Sequence, residues 1–409
     1  MDMSSVLSFI TDNKWIILFY LIIILVIYVN RKKFQFEAKF IAMFRAKWGI
    51  PLMDRIGKKH SEFIKLLGYI GIGVGFIGML IILCFMVKGV YDAILIPSAP
   101  ATFSLVIPGV RIPGNPVSVP FWYGIIALFI VVAIHEFCHG VVARAHNLKV
   151  QNTGIVFFGP IIGAFVEPDE KELVKRDDLT QLSLFAAGPF SNVILAVLVY
   201  LLISLVFAPI ELSMVQFDGV RFSEIQKGFP AEVAGVQPGV TYSIVNGQHI
   251  TGVQDFANAI NCVKPGEGVT LATANESHLV ITTESPTIKG QGYLGVVGIE
   301  SSYDLKSHDW WYVDIFQVLQ IFSNPFAQDW HDYALLQWVV LLSLGIGLAN
   351  LLPLGPVDGG RMIQLAFVRV KGKEKGNKAW MQLTVVVLVV LILLIVYPIL
   401  KATVFKSFF

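Results

Sequence analysis

The stretch AIHEFCHGVV, residues 133–142, decides the fold because it places ionisable side chains inside a long apolar run. Residues 121–145 are otherwise apolar enough to cross a membrane as one helix. Ionisable groups at membrane depth are costly, and they usually mark a functional site. The stretch therefore predicts a membrane helix whose last part contains functional side chains.

The composition of the whole chain is that of a membrane protein. Of its 409 residues, 55% are hydrophobic and only 15% are charged, whereas soluble domains carry about 25% charged residues. The formal net charge of +2 is too small to favour nucleic-acid binding. The three cysteines are scattered along the chain, which argues against a disulfide framework. We expect the lipid bilayer as a partner and no nucleic acid.

Apolar segments of about 20 residues can cross the bilayer as helices. The candidates are residues 14–30, 66–89, 121–145, 181–208, 334–353 and 379–400. We therefore predict a multi-span α-helical membrane protein with about six transmembrane helices. Residues 15–29 run directly into Arg31 without a small-residue cleavage site, which favours a retained span over a signal peptide.

The positions of Lys and Arg predict the orientation. They cluster in the segments 31–65, 146–180 and 361–378. Cytoplasmic loops carry an excess of these residues, and all three segments fall on one side if the six spans are real. We expect a multi-pass protein of the plasma membrane, with the histidine site near the cytosolic face and both termini outside.

Four regions follow from these spans. They are 1–120 with two spans and a basic cytosolic loop, 121–208 and 331–409 as two parts of a membrane core, and 209–330 as an extracytoplasmic segment. Gly and Pro punctuate short β-rich runs between residues 209 and 300, which predicts a small β-rich domain with one or two helices.

Residues 152–166 are apolar but too short to cross the membrane, and Gly159 and Pro160 lie at their centre. This pattern predicts a β-hairpin that dips into the membrane. Its open edges would have to face protein or a water-filled cavity, since unpaired backbone groups are not stable against lipid.

His135 and His139 are four residues apart, so on a helix their imidazoles share one face and can reach one metal ion. Glu136 projects to one side, where it can contact a water molecule at the metal without ligating it. This H-E-x-x-H spacing is typical of Zn²⁺ sites. The alternative is that each histidine is a hydrogen-bonded core residue, the commoner role of a single histidine on an apolar face.

A catalytic zinc site keeps three protein ligands, and Asp358 is the candidate for the third. Pro353 and Pro356 break the end of the fifth predicted span, and the glycines that follow Asp358 permit a sharp turn. The alternative role of Asp358 is to cap the next helix. Other candidates are poorer, because they lie outside or face away from the histidines: His331, Asp332 and Cys138.

These motifs together resemble the site-2 proteases, the intramembrane zinc metalloproteases. HEFCH at 135–139 and NLLPLGPVDGG at 350–360 match the family's H-E-x-x-H and N-x-x-P…D-G elements, and GPFSN at 188–192 is similar to its G-P-x-x-N element. The resemblance covers about 121–208 and 334–370. It implies one Zn²⁺ per chain, with His135, His139 and Asp358 as ligands and Glu136 as general base.

The resemblance also implies a function. Members hydrolyse peptide bonds within or near transmembrane segments of membrane proteins, which is regulated intramembrane proteolysis, with a zinc-bound water as nucleophile. Asn192 is implied to help hold the substrate backbone or the transition state. The hairpin around Gly159 and Pro160 resembles the membrane hairpin that offers an edge strand to the substrate.

GFPAEVAGVQPGVTYSIVNGQHI, residues 228–250, resembles the PDZ domain inserted in prokaryotic members of this family. Those domains usually have Asp after the glycine, whereas Val240 follows Gly239 here. The domain would bind a trimmed substrate end by strand addition, or act as a size filter that keeps bulky ectodomains away.

Two other functional classes stay open. In a metal-ion transporter, intramembrane His, Glu and Asp would mark an ion path, but the chain has no repeated halves and no acids scattered through the other spans. A catalytically inactive receptor that uses the PDZ-like segment would tolerate loss of Glu136, which this chain retains. The sequence does not indicate an oligomeric state.

Overall fold

The computed structural model describes residue 11 and residues 13–37, 41–96, 99–158, 161–327 and 332–403. The chain forms two compact units: Met1–Leu205 with Ile321–Phe409, and Val206–Gln320. The helices are α1 (Lys14–Val29), α2 (Ile50–Lys59), α3 (Ser61–Leu95), α4 (Phe121–Ala145), α5 (Glu170–Leu173), α6 (Asp178–Leu202), α7 (Ala208–Met214), α8 (Pro230–Val233), α9 (Val253–Ile260), α10 (Trp310–Phe322), α11 (Leu335–Asn350), α12 (Asp358–Lys371) and α13 (Lys373–Thr403).

The strands are mostly short. They are β1 (Phe34–Glu37), β2 (Ile41–Ala46), β3 (Val150–Phe158), β4 (Ile161–Pro168), β5 (Val215–Ile225), β6 (Ile244–Val245), β7 (Gln248–His249), β8 (Gly268–Ala272), β9 (Ser277–Ile281), β10 (Thr283–Glu284), β11 (Gly292–Tyr293) and β12 (Val296–Leu305). A π-helical turn, Ile203–Phe207, joins α6 to α7.

Among the described residues, four helical runs are long and apolar enough to cross a membrane: α3, α4, Asp178–Met214 and α13. The fold is therefore that of a helical multi-pass membrane protein. Two more of the predicted spans coincide with the apolar helices α1 and α11, of 16 residues each. Sixteen residues reach about 24 Å, less than the roughly 30 Å of the hydrocarbon core, so the number of six spans stays a prediction.

The helix α6 lies at the centre of the first unit, since α3, α4, α11 and α12 all pack against it. Glycines on α3 allow this helix to approach α6 and α12 closely. A Cβ on Gly68 would lie 2.2 Å from the Ser183 hydroxyl oxygen on α6, and one on Gly75 would lie 2.8 Å from Met362 on α12. Small residues at helix contacts are the usual way to pack membrane helices closely.

A four-stranded antiparallel sheet, in the order β1-β2-β3-β4, accompanies these helices. Strands β3 and β4 form a hairpin over the region predicted at 152–166, with Thr153 opposite Val166. The predicted hairpin tip at Gly159 and Pro160 lies outside the described residues. Strands β1 and β2 come from the basic segment 31–65, where we expected only a loop. Because β4 is the last strand of this order, its far edge has no partner strand in the part of the chain that the structure describes.

The second unit is β-rich, with the short helices α8 and α9 among its strands. Strands β5 and β12 pair as a long antiparallel ribbon, and a second sheet has the order β7-β6-β8-β9. The core of this unit contains the stacked rings of Phe222 and Tyr242, with Phe256 packed edge-on. The PDZ-like assignment of this unit stays a prediction.

Candidate metal centre

The two histidines of α4 point into the packed interior of the first unit. The His135 side chain is 6% exposed and that of His139 is 12% exposed. Their Nε2 atoms lie 3.2 Å apart, as expected for residues one helical turn apart on one face. α4 therefore presents two imidazole nitrogens towards a single point.

Asp358 comes to the same point from a different part of the chain. One of its carboxylate oxygens, Oδ2, lies 3.2 Å from His135 Nε2 and 3.4 Å from His139 Nε2. Asp358 is the first residue of α12, whose N-cap is Val357, and no side chain of a described residue caps this helix. Asp358 therefore does not act as the N-cap of α12. The positive end of the helix dipole favours a carboxylate there.

The turn between α11 and α12 brings Asp358 to this position because it is unusually tight. Gly355 has a left-handed φ of 39°. A Cβ on Gly359 would lie 2.3 Å from the Leu351 carbonyl oxygen, and one on Gly360 would lie 2.5 Å from that of Leu354. Both glycines are therefore needed for α12 to start against the preceding turn.

The three donor atoms fit a zinc ion. His135 Nε2, His139 Nε2 and a carboxylate oxygen of Asp358 form the only group of three or more such ligands among the described residues. Ligands that surround zinc tetrahedrally at about 2.0–2.1 Å lie roughly 3.3–3.4 Å from one another. The observed separations of 3.2, 3.2 and 3.4 Å agree with that spacing. Two imidazoles and a carboxylate are also ligand types that zinc prefers.

Gly188 on α6 leaves room at this point. A Cβ on Gly188 would lie 2.3 Å from His135 Nε2 and 2.4 Å from His139 Nε2. These are close to metal–ligand distances, so any side chain at residue 188 would occupy the place of the ion. GPFSN was recognised in the sequence as a motif, but the reason for its glycine becomes visible only in the structure.

The outer nitrogens of both imidazoles face α6. His139 Nδ1 lies 2.8 Å from the Leu184 carbonyl oxygen and donates its proton to it. This bond leaves the Nε2 lone pair free for a metal. His135 Nδ1 lies 3.2 Å from the Asn192 side-chain amide. The predicted contact of Asn192 with substrate is untested, since here its amide lies against a histidine.

Glu136 stands beside the three ligands without joining them. Its Oε2 accepts a hydrogen bond from the Val166 backbone N–H of β4 at 3.1 Å. Glu136, His139 and Asp358 line one cavity of about 160 Å³. The carboxylate can therefore reach a water molecule in the space that the ligands border.

The wall of this cavity contains an ion pair. Arg361 bonds to Glu170 and its guanidinium lies 5.1 Å from the centre of the Phe185 ring. The same three residues and Leu173 also line a neighbouring cavity of about 290 Å³. Arg361 and Glu170 thus stand between the metal centre and a second cavity, which sequence reasoning did not find.

The alternative third ligands are not at the centre. Cys138 and Asp332 do not belong to the three-ligand group, and His331 lies outside the described residues.

Comparison with known proteins adds the family context. The family described as "Peptidase family M50" matches residues 123–394. An uncharacterized protein of Methanocaldococcus jannaschii is 24% identical over 352 residues, which cover 85% of this chain and 84% of that protein. The zinc metalloprotease RasP of Geobacillus kaustophilus is 24% identical over 218 residues, covering 46% of this chain and 50% of RasP.

A third relative is a putative zinc metalloprotease of Clostridium acetobutylicum, 22% identical over 343 residues that cover 67% of this chain and 97% of that protein. The alignments with RasP proteins are shorter, because the chain spans about half the length of the RasP proteins that it matches.

Proposed function

The chain belongs to peptidase family M50, the site-2 proteases, and is a zinc metallopeptidase of the membrane; on this premise we propose that it cleaves membrane-protein substrates within or near their transmembrane segments. The observation that carries the proposal is the convergence of His135, His139 and Asp358 within 3.4 Å of one another, beside Glu136. This arrangement supports one zinc ion per chain, held by those three residues.

The chemistry needs a metal and a base. Zinc, when bound, supplies a Lewis acid that polarises the substrate carbonyl and lowers the pKa of a water molecule. Glu136 takes the proton from that water and later gives it to the leaving amine nitrogen. The Val166 N–H holds one oxygen of the Glu136 carboxylate, so that the other is free to face the water. Fixing the carboxylate in advance lowers the entropic cost of the reaction.

The substrate must be unwound before it can be cut. A transmembrane helix hides its carbonyls in internal hydrogen bonds, and in lipid the freed groups need new partners. The far edge of β4 supports strand addition as the way to pair these groups, since no strand in the described ranges pairs with that edge. Val166 N–H turns away from β3 towards Glu136, so this edge leads to the base. We propose that the hairpin, including Gly159 and Pro160, positions the substrate in this way.

The orientation in the membrane and the role of the second unit are also proposals. The basic segments support an active site near the cytosolic face of the plasma membrane, with both termini outside. The second unit would be the extracytoplasmic PDZ-like domain, which docks a trimmed substrate end or excludes bulky ectodomains. If it is a filter, deletion of the domain raises basal cleavage of intact substrates; if it is only a spacer, specificity does not change.

The proposed activity is tested by cleavage of a transmembrane peptide in detergent or liposomes. Wild-type protein should cut the peptide, and a zinc chelator should stop the reaction. Glu136→Gln keeps the size of the side chain but removes the base, so it should lose at least about 100-fold in rate. Glu374→Gln, which changes an exposed acid at the start of α13, is the matched control and should cut normally.

Cleavage by Glu136→Gln at the wild-type rate would contradict the assigned base. Cleavage by chelated wild-type protein would contradict the metallopeptidase mechanism itself.

A further inference from the structure

Asn192 is a fully buried polar residue beside the metal centre. It is 0% exposed and lies on α6, behind His135. Its Nδ2 lies 3.2 Å from His135 Nδ1, whereas its side-chain oxygen Oδ1 has no hydrogen-bond partner among the residues that the structure describes. A buried polar atom without a partner costs about 1–3 kcal/mol, so this arrangement calls for a physical reason.

The chemistry of a ligating histidine provides one. When His135 binds a metal through Nε2, its proton resides on Nδ1, which then becomes a hydrogen-bond donor. An amide NH₂ facing that donor cannot bond to it. The oxygen and nitrogen of an asparagine amide have nearly the same shape, and turning the amide by half a turn exchanges them. In the turned amide, Oδ1 accepts a hydrogen bond from His135 Nδ1–H, so that this acceptor and this donor satisfy each other.

We propose that Asn192 is a positioning residue for the metal ligand His135, through Oδ1 as hydrogen-bond acceptor. This inference rests on the proposed function only in that a metal binds at this site. His139 already has the equivalent support, because its Nδ1–H donates to the Leu184 carbonyl on the same helix. α6 then fixes the tautomer and the ring orientation of both histidines.

The backbone around Asn192 is held as well. The Ser343 hydroxyl on α11 donates to the Asn192 carbonyl oxygen at 2.8 Å, and a Cβ on Gly347 would lie 3.1 Å from the Asn192 Cβ. Asn192 therefore has little freedom to swing away from His135. A role in holding substrate would use the opposite end of the amide, the NH₂ group as donor, and would require that end to reach the cavity.

The test is the zinc dissociation constant of the full-length protein in detergent, measured by competition with a chromogenic chelator. Asn192→Ala removes the acceptor and should weaken zinc binding by about 10–100-fold. Asn192→Asp keeps an acceptor oxygen of the same shape but removes the NH₂ group, and should remain within about threefold of wild type. Ser323→Ala is the matched control, since it also removes a fully buried hydroxyl but lies outside the three-ligand group.

Zinc binding by Asn192→Ala at wild-type affinity, with cleavage lost, would overturn the inference in favour of a substrate contact. Equal loss of zinc in Asn192→Asp and Asn192→Ala, with both proteins folded by circular dichroism, would also overturn it. If Asn192→Ala fails to fold, the Asp variant decides by itself: folded protein without zinc contradicts an acceptor role. A wild-type chain that binds no zinc would overturn the proposed function and this inference with it.

Discussion

α4 and α6 build the same centre in different ways. α4 contributes side chains, His135, Glu136 and His139, whose spacing can be read from the sequence. α6 contributes the backbone carbonyl of Leu184, which belongs to no side-chain pattern, and Gly188, whose motif GPFSN is recognisable although the role of its glycine is not. The comparison teaches that ligands are visible in a sequence, whereas the groups that orient the ligands and leave room for the ion are visible only in the fold.

The largest effect should come from adding a side chain at Gly188 on α6. Gly188→Ala puts a Cβ within 2.4 Å of the Nε2 atoms of both histidines. We therefore expect zinc binding to weaken by at least about 100-fold, which is more than the loss expected when a residue that orients a ligand is removed. Zinc content of the purified variant is the measurement. Gly345→Ala on α11 is the control, because no atom of the described residues lies within 4 Å of that Cβ. If Gly188→Ala holds zinc as well as wild type, α6 does not define the place of the ion.

The next effect concerns a backbone donor outside both helices. Val166→Pro removes the N–H that bonds to Glu136, and proline is tolerated on an edge strand where the N–H points away from the sheet. A hydrogen bond to a charged group contributes about 1.5–3 kcal/mol, so kcat should fall about 10–100-fold while zinc content stays unchanged. Val166→Ala keeps the N–H and should retain kcat. A normal kcat in Val166→Pro would show that Glu136 needs no support from β4.

How much of this was predictable differs along the chain. The apolar run 121–145 coincides with α4, and the sequence named the three side chains that meet at one point, although their binding of metal stays a prediction. The strands β1 and β2 were missed, because each is short and lies in a basic segment that otherwise resembles a solvated loop. β1 and β2 pair with each other, and β2 also pairs with β3, which is more than 100 residues away in the chain.

The supporting groups of the site could not be predicted for a related reason. The Val166 N–H and the Leu184 carbonyl are backbone groups, which do not depend on the identity of the side chain. Only the packing of β4 and α6 against α4 gives them a role. The ion pair of Arg361 with Glu170 likewise joins residues 191 positions apart, so no local pattern indicates it.

The smallest effect tests how firmly α6 is anchored. Asp177 caps its N-terminus, because its carboxylate accepts from the Thr180 N–H at 3.0 Å and from the Thr180 hydroxyl at 2.8 Å. These bonds lower the pKa of Asp177 below its ordinary value. Asp177→Ala should cost about 1 kcal/mol of stability at pH 7, and Asp177→Asn, also a good cap, should cost less.

The pH dependence of this contribution has a definite sign. A folded-state pKa below the unfolded value means that the contribution is complete above about pH 4 and is lost as the pH falls through the folded pKa. Thermal unfolding in detergent from pH 7 to 3 should therefore bring wild type and Asp177→Asn together at the acid end. A difference that grows on acidification would contradict this account of the cap.

The central claim is that His135, His139 and Asp358 bind one zinc ion, and the most direct measurement is the zinc content of the purified full-length protein. Elemental mass spectrometry should find about one zinc per wild-type chain and much less in Asp358→Ala, as expected when a ligand of a three-residue catalytic site is lost. Asp332→Ala, which removes an exposed aspartate outside the three-ligand group, should retain the wild-type amount. Wild-type protein without zinc after supplementation, or full zinc retention in Asp358→Ala, would contradict the claim.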